Sequence, residues 1–141
     1  MNKKGFTLIE LLIVITIIGI LTVLGARQFG DDIKRANAAA DKSNAQTISN
    51  AVQQAILMSG ASPATVARAD ATLTNAGGYD ITNYISNIPA VKAVTNGTWQ
   101  VAVTSSGAVE VYVKNGDKIC KLQPATSDVD NYPDSGFTNA A

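Results

Sequence analysis

The sequence has no histidine, one cysteine, four prolines, one tryptophan, four tyrosines and three phenylalanines. Without histidine it lacks the commonest general base and the commonest zinc ligand. A single cysteine, Cys120, excludes an intramolecular disulfide and any cysteine metal cluster. Charge of one sign is also missing. Eleven Lys+Arg balance eleven Asp+Glu, and no basic run provides an electrostatic footprint for nucleic acid. There is no glycine-rich phosphate loop and no pair of carboxylates on an expected rigid element, so no catalytic constellation emerges. No enzyme activity and no cofactor are expected. What remains is 141 residues, the size of one domain, 46% of them hydrophobic and therefore enough for a folded core.

The hydrophobic residues are unevenly spread. Residues 6–26 read FTLIELLIVITIIGILTVLGA, with Glu10 as the one charge. As a helix this stretch spans about 31 Å, close to the hydrocarbon thickness of a bilayer. Lys3 and Lys4 precede it, as in a secretory signal, but the run is about twice the usual apolar length. No small-residue cleavage site with a polar mature start follows it; Arg27 simply continues helical sequence. A membrane anchor fits better, with the two lysines on the cytoplasmic side. Glu10 does not suit a plain anchor. A carboxylate near the end of a lipid-facing helix costs on the order of 2–3 kcal/mol. No Lys or Arg within the run offers a partner, which leaves solvation or protonation at the interface, or a partner supplied from outside.

The segment Lys3-Lys4-Gly5-Phe6-Thr7-Leu8-Ile9-Glu10, followed by the apolar run, resembles the class III signal of type IV pilins and pseudopilins. The resemblance covers roughly the first 30 residues. It implies that a prepilin peptidase cuts between Gly5 and Phe6 and N-methylates the new amine of Phe6, leaving the apolar helix on the mature protein. It further implies that Glu10 pairs with the N-terminal amine of a neighbouring subunit, which would make a buried acid into a register device for a helical homo-oligomeric filament. An inner-membrane assembly platform is the other implied partner. Location would be the cytoplasmic membrane first and a surface filament afterwards, serving adhesion, twitching motility or DNA uptake. Many type IV pilins carry a proline near the position of Arg27; this chain has none, so Gly19, Gly25 and Gly30 are its only soft points, each costing about 1 kcal/mol in a helix relative to alanine.

Beyond the apolar run, Ile33, Ala36, Ala40, Ile48, Val52 and Ile56 recur at helical spacing, with Asp31, Lys34, Asp41, Lys42 and Gln46 among the positions between them. Ser59-Gly60 suits a helix stop. A helix from residue 6 to about 59 would be roughly 80 Å long. Ser62-Pro63 predicts a short helix over 63–73, Asn75-Ala76-Gly77-Gly78 a loop, and Asp80 a cap for another short helix over 81–88. Three alternating segments then predict strands at 99–103, 109–113 and 119–122. Ser105-Ser106-Gly107 suits a hairpin loop pairing Val103 with Val109. Asn115-Gly116 suits a two-residue turn pairing Val113 with Lys118 and placing Val111 opposite Cys120, Val109 opposite Leu122 and Glu110 opposite Lys121. Trp99, Val101, Val103, Val109, Val111, Val113, Cys120 and Leu122 then share one face, directed at the Ile48–Val52–Ile56 stripe.

The expected architecture is α+β: a long N-terminal helix packed on a small antiparallel meander. The expected division is a leader at 1–5, a membrane and filament-core half-helix at 6–29, and a head at 30–141. Cys120 is read as a core residue, the alternative being an exposed thiol that links subunits. The tail places Asp128, Asp130 and Asp134 near Asn131, an oxygen-rich cluster; some major pseudopilins of type II secretion bind calcium there. The tail lacks the glycine and distal glutamate of an EF-hand loop, so a solvated terminal loop is the expectation and no metal is assigned. The Asn96-Gly97-Thr98 sequon is a frequent chance match. The leading reading is a major pilin. A pseudopilin of a secretion or competence apparatus and a non-polymerising anchored binding domain are the alternatives.

Overall fold

The computed structural model describes residues 5–140, with the side chains of Arg27, Gln28 and Asp128 left outside that description. Lys3 and Lys4 of the expected leader therefore lie outside the described residues. Helix α1 runs Leu8–Ser59. Strands β1 (Val66–Asp70), β2 (Thr98–Val103), β3 (Val109–Asn115) and β4 (Lys118–Gln123) follow, then the short helix α2 (Ser127–Asp130) and strand β5 (Thr138–Asn139). The five strands form one antiparallel sheet in chain order, β1-β2-β3-β4-β5. The protein is thus an α+β arrangement of one long helix and an antiparallel meander. The chain divides into two compact units, Met1–Ala36 and Asn37–Ala141, and α1 contributes to both.

In the second unit the inward face of α1 is Ala38, Ala45, Ile48, Ala51, Val52, Ala55 and Ile56, which shares one core with the sheet. All eight side chains expected on the inner sheet face are buried there, Cys120 included. The upstream part of the expected stripe differs. Ile33 is 61% exposed and Ala36 is also exposed, while the position taken as polar, Asp41, is fully buried. Counting back from Ile48 by seven and three residues gives 41 and 45, so Asp41 lies on the buried stripe itself.

A buried carboxylate needs donors, and Asp41 has three. Oδ1 accepts the backbone N–H of Lys92 and Oδ2 that of Ala93, each at 2.8 Å; the Tyr132 hydroxyl donates to Oδ2 at 2.7 Å. One helical side chain thereby ties down the loop before β2 and the segment after β4. Trp99 anchors the same loop by donating from Nε1 to the Pro89 carbonyl. Tyr132 is buried and its ring lies 5.9 Å from that of Phe137. Burial, then the Asp41 hydrogen bond, push its hydroxyl pKa far above the usual tyrosine value, keeping it a donor. The tail is anchored by the buried Val129 and Tyr132, while Asp130, Asn131 and Asp134 stay exposed as expected; α2 and β5 lie in it, and β5 pairs with β4 through Lys118↔Asn139 and Ile119↔Thr138.

Four local expectations are corrected. Residues 63–73 contain strand β1, not a helix, because Val66, Ala69 and Asp70 pair with β2 and Asp70 accepts from the Gln100 amide at 2.8 Å; sheet pairing overrides a weak capping signal. Residues 81–88 form one turn, with the Tyr84 and Ile85 N–H groups both on the Ile81 carbonyl. The Asp80 carboxylate caps only a local turn through the Thr82 hydroxyl and N–H. The β3–β4 register is displaced: Val113 lies opposite Cys120 and Asn115 opposite Lys118, leaving Gly116-Asp117 as the turn. The displacement is two residues, so each side chain keeps its face. A bulge next to Val111 then accommodates Leu122.

Other turn predictions are found as expected. Gly60 and Gly107 adopt φ of 65° and 82°, and Val103 pairs with Val109. On the outer sheet face Lys121 binds Glu110 at 2.5 Å, the Tyr112 hydroxyl donates to Glu110 at 2.8 Å, and Arg68 and Lys121 both lie over the Tyr112 ring.

Candidate processing and assembly segment

The N-terminal part of α1 begins with a reciprocal cap. Thr7 directly precedes the helix, and its hydroxyl accepts the Glu10 N–H at 3.3 Å. The Glu10 carboxylate returns, accepting the Thr7 N–H at 2.8 Å and its hydroxyl at 2.9 Å. This is a capping box, in which a threonine and a glutamate three residues later satisfy orphan donors of the first helical turn. The pattern Thr7-x-x-Glu10 is visible in the sequence, and it supplies a partner for Glu10 within its own chain. The acid is not stranded; it is held against the backbone at the point where the helix starts.

The other polar groups of the apolar half are satisfied internally as well. The Thr16 hydroxyl donates to the Leu12 carbonyl at 2.7 Å and that of Thr22 to the Ile18 carbonyl at 2.8 Å. A helix whose side-chain hydroxyls and backbone groups bond within the segment is compatible with hydrocarbon, where an unmet polar group costs several kcal/mol. The apolar side chains, by contrast, have no cover. Every Leu, Ile, Val and Phe over 6–24 is at least 48% exposed, Phe6 and Leu8 reaching 89%. Each is worth about 1.5–3 kcal/mol when fully buried, so water is the wrong surrounding for this surface. By length and composition α1 is able to cross a membrane, its most apolar window having a mean hydropathy of 2.7.

Of the residues singled out from the sequence, Gly5 and Phe6 lie exposed just before the helix, adjacent to the Thr7–Glu10 cap. Gly19, Gly25 and Gly30 are helical positions of α1; a methyl group at Gly19 or Gly30 would meet nothing within 4 Å. Asp130 and Asp134 are exposed, Asp128 has no described side chain, and no cluster of three His, Cys, Asp or Glu able to hold a metal occurs among the described residues. A shallow groove at the end of α1 is lined by Gln53, Ile56, Leu57, Pro63, Ser106 and Gly107, none of them titratable. The residue that sequence reasoning missed outright is Asp41, together with its partner Tyr132.

Residues 1–26 match the family described as the prokaryotic N-terminal methylation motif, the class III signal of the type IV pilin and pseudopilin family. No solved structure matches the chain. The motif implies processing by a prepilin peptidase and assembly into a filament.

Proposed function

We infer that this chain, bearing that signal on an apolar helix, is the major pilin of a type IV filament. The carrying observation is the union of three features in residues 1–26: the methylation motif, the Thr7–Glu10 cap next to Gly5 and Phe6, and apolar side chains left uncovered by the chain's own fold. In this reading the bilayer covers residues 6–29 before assembly, and other copies cover them afterwards. Cleavage between Gly5 and Phe6 creates a secondary amine once methylated, and that cation lies beside the Glu10 carboxylate of a neighbour. An ion pair taken out of water is favourable only in good geometry with its remaining valences met. The Thr7 bonds hold the carboxylate in place for that, and an axial misfit would leave two charges unpaired in hydrocarbon.

Two substitutions test this reading. Glu10→Ala removes both charge and cap, whereas Glu10→Gln keeps a capping-box side chain and removes the charge. Both variants should be cleaved and methylated, judged by mass and N-terminal sequencing, and both should be missing from sheared surface fibres. If Glu10→Gln forms fibres in wild-type amount, charge pairing is not what directs assembly. Recovery of the wild type in long surface fibres separates a major pilin from a pseudopilin, whose fibre would be short.

A further inference from the structure

The chain contains two Asn-Gly pairs, Asn96-Gly97 and Asn115-Gly116, and both asparagines are exposed. Such pairs are chemically labile, because a glycine offers no side chain to obstruct its own backbone nitrogen from attacking the preceding side-chain amide. The two differ in their surroundings. The Gly97 N–H donates to the Val94 carbonyl at 3.2 Å. Gly97 is also packed, since a methyl group there would lie 2.9 Å from the Val91 side chain. Gly116 stands at the tip of the β3–β4 hairpin with φ of 59° and nothing within 4 Å of its missing methyl position. Among the described residues no backbone acceptor engages its N–H. Asn115, Gly116, Asp117 and Lys118 are all exposed.

We propose that Asn115-Gly116 is a site of spontaneous deamidation, a self-modification that marks the age of the subunit. The Gly116 nitrogen, having lost its proton to solvent base, attacks Cγ of Asn115. An N–Cγ bond forms, the bond from Cγ to the side-chain nitrogen breaks, and ammonia leaves with a proton from water. Water then opens the five-membered imide at either carbonyl. One opening leaves an aspartate and the other an isoaspartate, in which the main chain runs through the former side chain and gains a methylene. The net exchange is one water for one ammonia, and a neutral amide becomes a carboxylate.

The position gives this chemistry a structural consequence. The same turn holds the terminal strand: the Ala140 N–H donates to the Asp117 carbonyl at 2.8 Å, and Lys118 pairs with Asn139. An added methylene between Asn115 and Gly116 shifts the turn carrying both contacts. Strand β5 has only two paired residues, so it loses its hold on the β4 edge first.

The test uses the full chain in detergent, kept warm at mildly alkaline pH, with peptide mapping and enzymatic methylation of isoaspartate over time. The expected result is the ammonia-for-water mass change in the peptide spanning 115–116, arising several-fold faster than at 96–97 and absent from Asn115→Gln. Hydrogen exchange on the aged fraction should show lost protection at the Ala140 amide. A free peptide covering 111–119 provides the control for the chemistry. If that peptide converts and the folded chain does not, or if position 96 converts as fast, the proposal is overturned. Unchanged Ala140 protection in fully converted chain overturns the coupling to β5.

Discussion

At Asp41 a single side chain holds three segments of the head together. Its donors lie 51, 52 and 91 positions away in sequence, so the bond set closes long loops in a chain with no disulfide. Removing the acceptor takes the partner from the Lys92 and Ala93 N–H groups and from the buried Tyr132 hydroxyl, at a penalty of about 1–3 kcal/mol for a group left buried and unmet. Asp41→Ala should therefore destabilise the head by roughly 3 kcal/mol or more in chemical denaturation. Tyr132→Phe removes only one donor to a charged group and should cost about 1.5–3 kcal/mol. Its increased hydrogen exchange should be concentrated in residues 127–140. A loss spread evenly over the sheet would contradict the assignment of Tyr132 as the tether of the tail.

The sheet, taken as an element, carries its polar chemistry on the outer face. Glu110 of β3 has its pKa lowered, first by the Lys121 hydrogen bond. Lys121 of β4 has its pKa raised, first by the same bond. The signs set a window. The contribution from Glu110 is present above the ordinary glutamate value of about 4.3 and is lost as pH falls through the lower folded value. That from Lys121 is present below the ordinary lysine value of about 10.4 and is lost as pH rises through the higher folded value. The melting-temperature difference between wild type and Glu110→Gln should be flat across this window and close at both ends. It should also be small, as for other partly exposed pairs. A difference that persists well below the folded carboxyl value would place its origin elsewhere, for example in the Tyr112 contact. The two-residue register displacement at the β3–β4 turn leaves this pairing within reach: Glu110 and Lys121 are no longer directly opposite, yet remain on one face and in contact.

For the whole molecule, the division into Met1–Ala36 and Asn37–Ala141 separates two surfaces made for different surroundings. The first described core residue is Ala38, and every buried hydrophobic follows it. A fragment of residues 37–141 should therefore fold without detergent and unfold cooperatively, followed by circular dichroism on heating. The full chain should require detergent or membrane. A fragment that is molten in buffer would show that the apolar half of α1 contributes to the fold of the head and not only to its location.

The long apolar helix, the alternating strands and the side chains of the sheet core were legible without coordinates because each depends on a short-range period: 3.6 residues for the helix, two for a strand. The Thr7–Glu10 cap is just as local, three residues apart, but reading Glu10 for an ion-pair partner passes over it. What only the tertiary structure decided were the features whose partners are remote. Strand β1 exists because β2 offers it a ladder, and Asp41 turns inward because a loop and a tyrosine far along the chain bring donors to it. In both, the local sequence expressed a different preference. Hydrogen bonds to distant groups outweigh that preference, and nothing within a few residues announces them.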